Sequence, residues 1–233
     1  MKTIKTLDFQ LNWDKAGKEI VDYCYQVRLK STHISNYIER TCLRELKIKS
    51  EEYSGIIITL MHGYDDAKWS NYDNPFISPT KCVSIYIRLD KENYDAIKTD
   101  NDFREFIRQT MEYAFEKIEV KYPIPSKNIL ASYNDFKEKN FINEWLSKKK
   151  TDRKRKLLAE VYCKITTTKF ILTLKVIQDK KEIYCKEIFK TDSNIYSYGY
   201  SLRKVVIEQD KILVLGARDK VTFSLPLKDI LLD

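Results

Sequence analysis

The sequence predicts an α+β protein in two parts: a mixed helix-and-strand unit over residues 1–150 and an antiparallel β unit, sheet or small barrel, over residues 151–233. Three observations lead there. Before residue 150, stretches with apolar residues at helical spacing alternate with stretches at strand spacing. From Leu158 onward only short strand-like runs occur, about ten residues apart. Between the two textures lies KKKTDRKRK, Lys148 to Lys156, with seven Lys or Arg and one Asp.

The opening TIKTLDFQLNW reads as a strand with Ile4, Leu7, Phe9 and Leu11 largely on one face. Asp14 is placed to cap a helix through EIVDYCYQV, where Ile20, Val21, Cys24 and Tyr25 recur at helical spacing. A second helix is expected from Thr32 to Leu46, with Ile34, Tyr37, Ile38, Thr41, Cys42 and Leu46 on one stripe. Gly55 to Met61 is a β-branched run suited to a buried central strand, and HGYDDAKWSNYDNPFISP after it reads as a long polar loop. In VSIYIRLD, Val83, Ile85, Ile87 and Leu89 alternate with Ser84, Tyr86 and Arg88, a pattern for which antiparallel pairing is expected.

TDNDFREFIRQTMEYAFEKIEV is the clearest helix, capped by Asp102 or Asp100, with Phe103, Phe106, Ile107, Met111, Ala114 and Ile118 as its apolar stripe. Tyr122-Pro-Ile-Pro125 ends it, because proline cannot continue the hydrogen-bond ladder. Another helix is expected from about Ser132 to Leu146, carrying Phe136, Phe141, Ile142, Trp145 and Leu146. The segments LAEVYCKIT, KFILTLKVI, EIYCKEIF, RKVVIE, KILVLG and KVTFSL then read as strands joined by hairpin turns at 178–181, 209–210 and 216–219.

The apolar and charged shares, 43% and 33%, suit a soluble globular chain. No run of eighteen apolar residues occurs, so no conventional transmembrane helix is expected. The N-terminus lacks the continuous apolar stretch of a secretory signal. Cys24, Cys42, Cys82, Cys163 and Cys185 are odd in number and never spaced C-x-x-C. Free, mostly buried thiols in a reducing compartment account for them, and the cytoplasm is the expected location. The net charge is +8, of which the run 148–156 supplies +6, so the rest of the chain carries only +2. A run of like charge is normally hydrated. A linker, or the solvated end of a helix, is therefore expected there. As a second reading Lys148, Lys149, Lys150, Arg153, Lys154, Arg155 and Lys156 form a nucleic-acid grip.

Motifs for chemistry are sparse. His62, Asp65 and Asp66 offer a possible metal set, but their spacing matches no established ligand pattern. His33 reads as a surface or half-buried helix residue. Cys82 and His62 flank the same loop and are considered as a nucleophile–base pair, against the alternative of a buried structural thiol. No P-loop, G-x-G-x-x-G or G-x-S-x-G occurs. No catalytic residue, metal or cofactor is therefore assigned, and the protein is read as a binder and not an enzyme. Two stretches suit partner contact: Tyr64, Asp65, Asp66, Trp69, Tyr72, Asp73 and Phe76 in the aromatic–acidic loop, and Tyr196, Tyr198 and Tyr200 in a tyrosine triplet. Aromatic side chains bury much area at low rotamer cost.

At YIRLDKENYDAI, FIRQTMEYAFEKIEVKYPIP and NFINEWLSKKK, over roughly residues 83–225, the chain resembles a bacterial immunity protein of the polymorphic-toxin type. The resemblance implies a non-enzymatic cytoplasmic protein of bacterial competition that binds one cognate toxin domain and blocks it. It transfers no functional residue to a numbered position.

Overall fold

The computed structural model describes residues 1–13, 18–63, 71–193 and 199–230. The chain divides into two compact units, Met1–Ile142 and Asn143–Asp233. The α+β class expected from the sequence is what the structure has.

In the first unit, β1 (Lys2–Thr3) and β2 (Thr6–Trp13) lead to α1 (Lys18–Ile38). A π-turn, Glu39–Leu43, and the short α2 (Arg44–Leu46) continue α1 without a break. The expected pair of helices is thus one. Hydroxyls where the second helix was expected to begin turn inward: Ser31 and Thr32 donate to Arg28 O, and Ser35 donates to Ser31 O. A hydroxyl bonded back to the preceding turn leaves the helix intact. Residues 31–39 are all buried, His33 among them at 2% exposure, which corrects the surface or half-buried position expected for it.

β3 (Lys49–Ser50) pairs with β1, and β4 (Gly55–His62), β5 (Phe76–Ile77) and β6 (Val83–Arg88) complete the main sheet in the order β2-β4-β6-β5. β4 runs parallel to both β2 and β6; only the two-residue β5 is antiparallel. The antiparallel pairing expected for VSIYIRLD is therefore corrected. Alternation reports which face of a strand is buried, not the direction of its neighbour. A strand flanked by helical and loop crossovers pairs in parallel.

α3 (Lys91–Asp95) is capped by Asp90, whose side chain accepts from the Glu92 amide. α4 (Asp100–Glu119) opens with a reciprocal capping box. Asp102 N donates to Thr99 Oγ1 at 3.1 Å, and Thr99 N donates to the Asp102 carboxylate at 2.8 Å. The cap is thus Thr99, one residue before the expected Asp100, with Asp102 answering it. α5 (Ser126–Glu138) starts directly after Pro125. Ile34, Ile38, Ile58, Ile85, Phe103, Ile107, Met111 and Phe136 lie in the core that these helices and the sheet share.

α5 stops eight residues short of the expected Leu146. Asn140 and Phe141 both take left-handed φ angles, 52° and 56°, and the Phe141 amide closes back on Phe136 O. The chain then enters β7 (Asn143–Asp152), so the division falls before Asn143 and not at residue 150.

In the second unit, β7, β8 (Leu157–Ile165), β9 (Lys169–Gln178) and β10 (Lys181–Asp192) form an antiparallel meander. β11 (Lys204–Ile207), β12 (Lys211–Leu215) and β13 (Val221–Pro226) form a second antiparallel sheet. Val161, Leu172, Leu174, Ile212 and Val214 belong to the core between these elements. Gly216 is required by crowding: a Cβ there would stand 2.0 Å from the Tyr200 carbonyl oxygen.

Candidate partner-binding surface

Of the aromatic–acidic loop, the described part is fixed to the free edge of β6. Tyr72 bridges to Tyr86, the Asp73 amide donates to Tyr86 O at 2.9 Å, and Phe76 pairs with Ser84. Asp73 takes a left-handed φ of 58°, which turns its carboxylate toward α4, where Tyr113 Oη donates to it at 2.8 Å. That bond, with some burial, raises the Tyr113 pKa above the usual phenol value. The Phe76 ring packs 5.1 Å from the Tyr86 ring, and the Arg88 guanidinium stands 5.1 Å from the Tyr72 ring. Lys121 reaches the Pro75 carbonyl at 3.4 Å. Tyr72, Phe76 and Tyr86 are half-buried, while Asp73 and Arg88 are exposed.

Three of the expected loop residues, Tyr72, Asp73 and Phe76, are thus brought together on one sheet edge. Tyr64, Asp65, Asp66 and Trp69 lie outside the described residues, as do Tyr196 and Tyr198. Tyr200 is exposed, at 71%, and belongs to the second unit. Sequence reading missed Tyr86, Arg88 and Tyr113. The first two were treated as the outward side of a strand, and the third lay in the expected helix outside its apolar stripe. The signal that could have found them is the alternation itself, which places Tyr86 and Arg88 on the same face, two residues apart.

A cleft of about 700 Å³ opens beyond the carboxyl ends of β4 and β6, lined by His62, Gly63, Tyr72, Arg88, Asp90 and Glu92 among others. His62 lies 3.3 Å from Leu89 O through Nδ1. Cys82 is at the other end of the sheet. It precedes Val83, which stands opposite Ile56, while Met61 stands opposite Arg88. At about 3.3 Å per residue the parallel register separates Cys82 from His62 by roughly 20 Å. The pair considered from sequence cannot act together. Among the described residues no group of three or more His, Cys, Asp or Glu is placed to hold a metal; Asp65 and Asp66 are outside them.

The basic run forms a β-hairpin and not a linker. Lys149 stands opposite Glu160 on one face of β7, whereas Lys148 and Lys150 stand opposite Val161 and Ala159 on the other. At the turn, Asp152 accepts from the Lys154 and Arg155 amides. Arg155 binds Asp152 at 2.8 Å and donates to Gln209 O at 2.7 Å and Glu208 O at 2.6 Å. Lys156 pairs with Asp179 at 3.0 Å. The strand reading was lost because charge outweighs propensity in so basic a stretch. Lysine is nevertheless a usual occupant of edge strands, where it discourages pairing with other chains.

No helix among the described residues is long and apolar enough to cross a membrane. No family model matches the chain, and neither the curated proteins nor the solved structures contain a match to it.

Proposed function

We propose that this chain is an interaction protein of the immunity type, which binds a cognate toxin domain stoichiometrically through the β5–β6 edge and blocks it. The observation that supports this reading is the fixed aromatic edge: Tyr72, Phe76 and Tyr86 beside the exposed Arg88. Tyr and Arg are the residue types that dominate binding hot spots. Main-chain bonds from the loop to Tyr86 order the edge in advance, so association loses little conformational entropy there. The resemblance to immunity proteins points the same way.

The test is to mix the protein with the product of the adjacent gene and measure the complex by calorimetry. A one-to-one complex that persists at high salt is expected, with Arg88→Glu and Tyr72→Ala each weakening it about tenfold or more. No complex, or one indifferent to both substitutions, overturns the reading. A second reading, phosphate contact, has one observation in its favour: Arg153, Lys154, Lys180 and Lys181 are exposed on two turns joined by the Lys156–Asp179 pair. Binding to RNA or DNA that falls steeply with salt and disappears in R153A/K154A would support it instead.

A further inference from the structure

Beside the aromatic edge, a groove of about 760 Å³ runs between α3 and α4. Its apolar lining comes from Ile87, Ala96, Ile97 and Phe106, with the Tyr113 ring at one end. Its polar lining comes from Asn93, Asn101, Asp102, Glu105, Gln109 and Thr110, and among the described residues no Lys or Arg contributes to it. In a chain of net charge +8 that is a local inversion. Asp102 is bound by the Thr99 and Lys98 amides. Arg108 lies between Glu105 and Glu112, so that trio keeps one negative charge. Arg104 stacks over Phe141 at 4.3 Å and donates to Asn101, Lys117 stands 5.2 Å from the Tyr113 ring, Lys98 donates to Asp95 O, and Lys137 acts on Glu105 from a distance. Asp73, held by Tyr113, adds a further carboxylate where the groove meets the aromatic edge.

We infer that this groove takes a segment of the partner protein that carries one or two bulky apolar side chains flanked by Lys or Arg. The inference rests on the binding role proposed above and assigns the partner's chemistry. Apolar anchors fill the Ile87–Ile97–Phe106 lining while cations meet the carboxylates and amides of the rim, so that charge fixes orientation and apolar burial supplies affinity. Because Tyr113 lines the groove and binds Asp73, the groove and the aromatic edge are one continuous surface.

The experiment uses the whole protein and three fluorescein-labelled dodecapeptides, read by anisotropy. The first carries Leu and Phe anchors in a Lys/Ser background, the second replaces Lys by Glu, and the third replaces Leu and Phe by Ser. The first peptide should bind about tenfold or more tightly than either twin, a difference well within what charge and apolar burial supply. Ala96→Arg, at an exposed position, fills the groove and should remove that preference. Gln109→Lys adds a positive charge that offsets part of the rim's negative charge, and it should weaken the Lys peptide while helping the Glu peptide. Equal binding of the three peptides overturns the inference, as does no binding up to about 1 mM or a preference untouched by both substitutions. A stoichiometric complex with the adjacent gene product that ignores Ala96→Arg and Gln109→Lys would sink the groove and leave the aromatic edge standing.

Discussion

At Glu39 a carboxyl group is buried, 5% exposed, where the π-turn faces β2, and it accepts the Leu7 amide at 3.0 Å. Burial pushes its pKa up to about 7, opposed by the Leu7 amide and Arg44 and reinforced by Asp8. The folded state therefore holds a proton that the unfolded chain releases near 4.5. This contribution to stability is full below pH 4.5 and is lost as pH rises through about 7, on the order of 3 kcal/mol in all. His33 acts in the opposite sense. Burial, with Arg104 nearby, lowers its pKa to about 4, so its contribution is full above about 6.5 and is lost as pH falls toward 4. Glu39→Gln keeps an acceptor for Leu7 and removes the titration. Urea unfolding should then show the variant gaining stability over the parent on going from about pH 5 to about pH 8. An unchanged difference across that range would refute the assignment. Neither residue was legible as buried: in STHISNYIER, polar side chains interrupt the apolar stripe, and only the back-bonded hydroxyls reconcile them with the interior.

At the level of elements, the β7–β8 turn is tied to the β11–β12 turn by one side chain. Arg155 donates to the Glu208 and Gln209 carbonyls as well as to Asp152. Arg155→Ala should lower unfolding stability by about 1–3 kcal/mol, the range for losing charge-assisted hydrogen bonds. The paired control R153A/K154A, at exposed positions, should stay within about 0.5 kcal/mol. Equal losses in both would show the run to be stabilised by its total charge. Most of β8 to β13 were readable in advance as short apolar runs bounded by turns, as KILVLG is by Gln209-Asp210 and Gly216, whereas the twelve-residue β10 was read only over 182–189. β7 was not, because NEWLSKKKTD places only Trp145 and Leu146 as large apolar residues in ten positions. Its partner β8 supplies the burial. The aromatic edge was half legible: composition marked the loop residues and alternation put Tyr86 and Arg88 on one face, but that the loop docks on that strand is set by pairing.

At the scale of the whole molecule, each unit has its own apolar core, and the cut between them falls before Asn143. A fragment of residues 143–233 should therefore fold alone and unfold cooperatively in urea, whereas residues 151–233, stripped of nearly all of β7, should not. If the shorter fragment folds equally well, β7 is an accessory to the second unit and not part of it. The twelve-residue β10 lies at the open end of its hydrogen-bonded ladder, and its register slips between Glu182 and Tyr184 and again between Glu187 and Phe189. The clean stretches left, Tyr184 to Glu187 and Phe189 to Asp192, are four residues each. An extraneous ribbon seeking to dock there meets matching amides for little more than one such stretch before falling out of step. Prolonged shaking of a concentrated solution should accordingly yield no fibrils nucleated on this margin, despite its length.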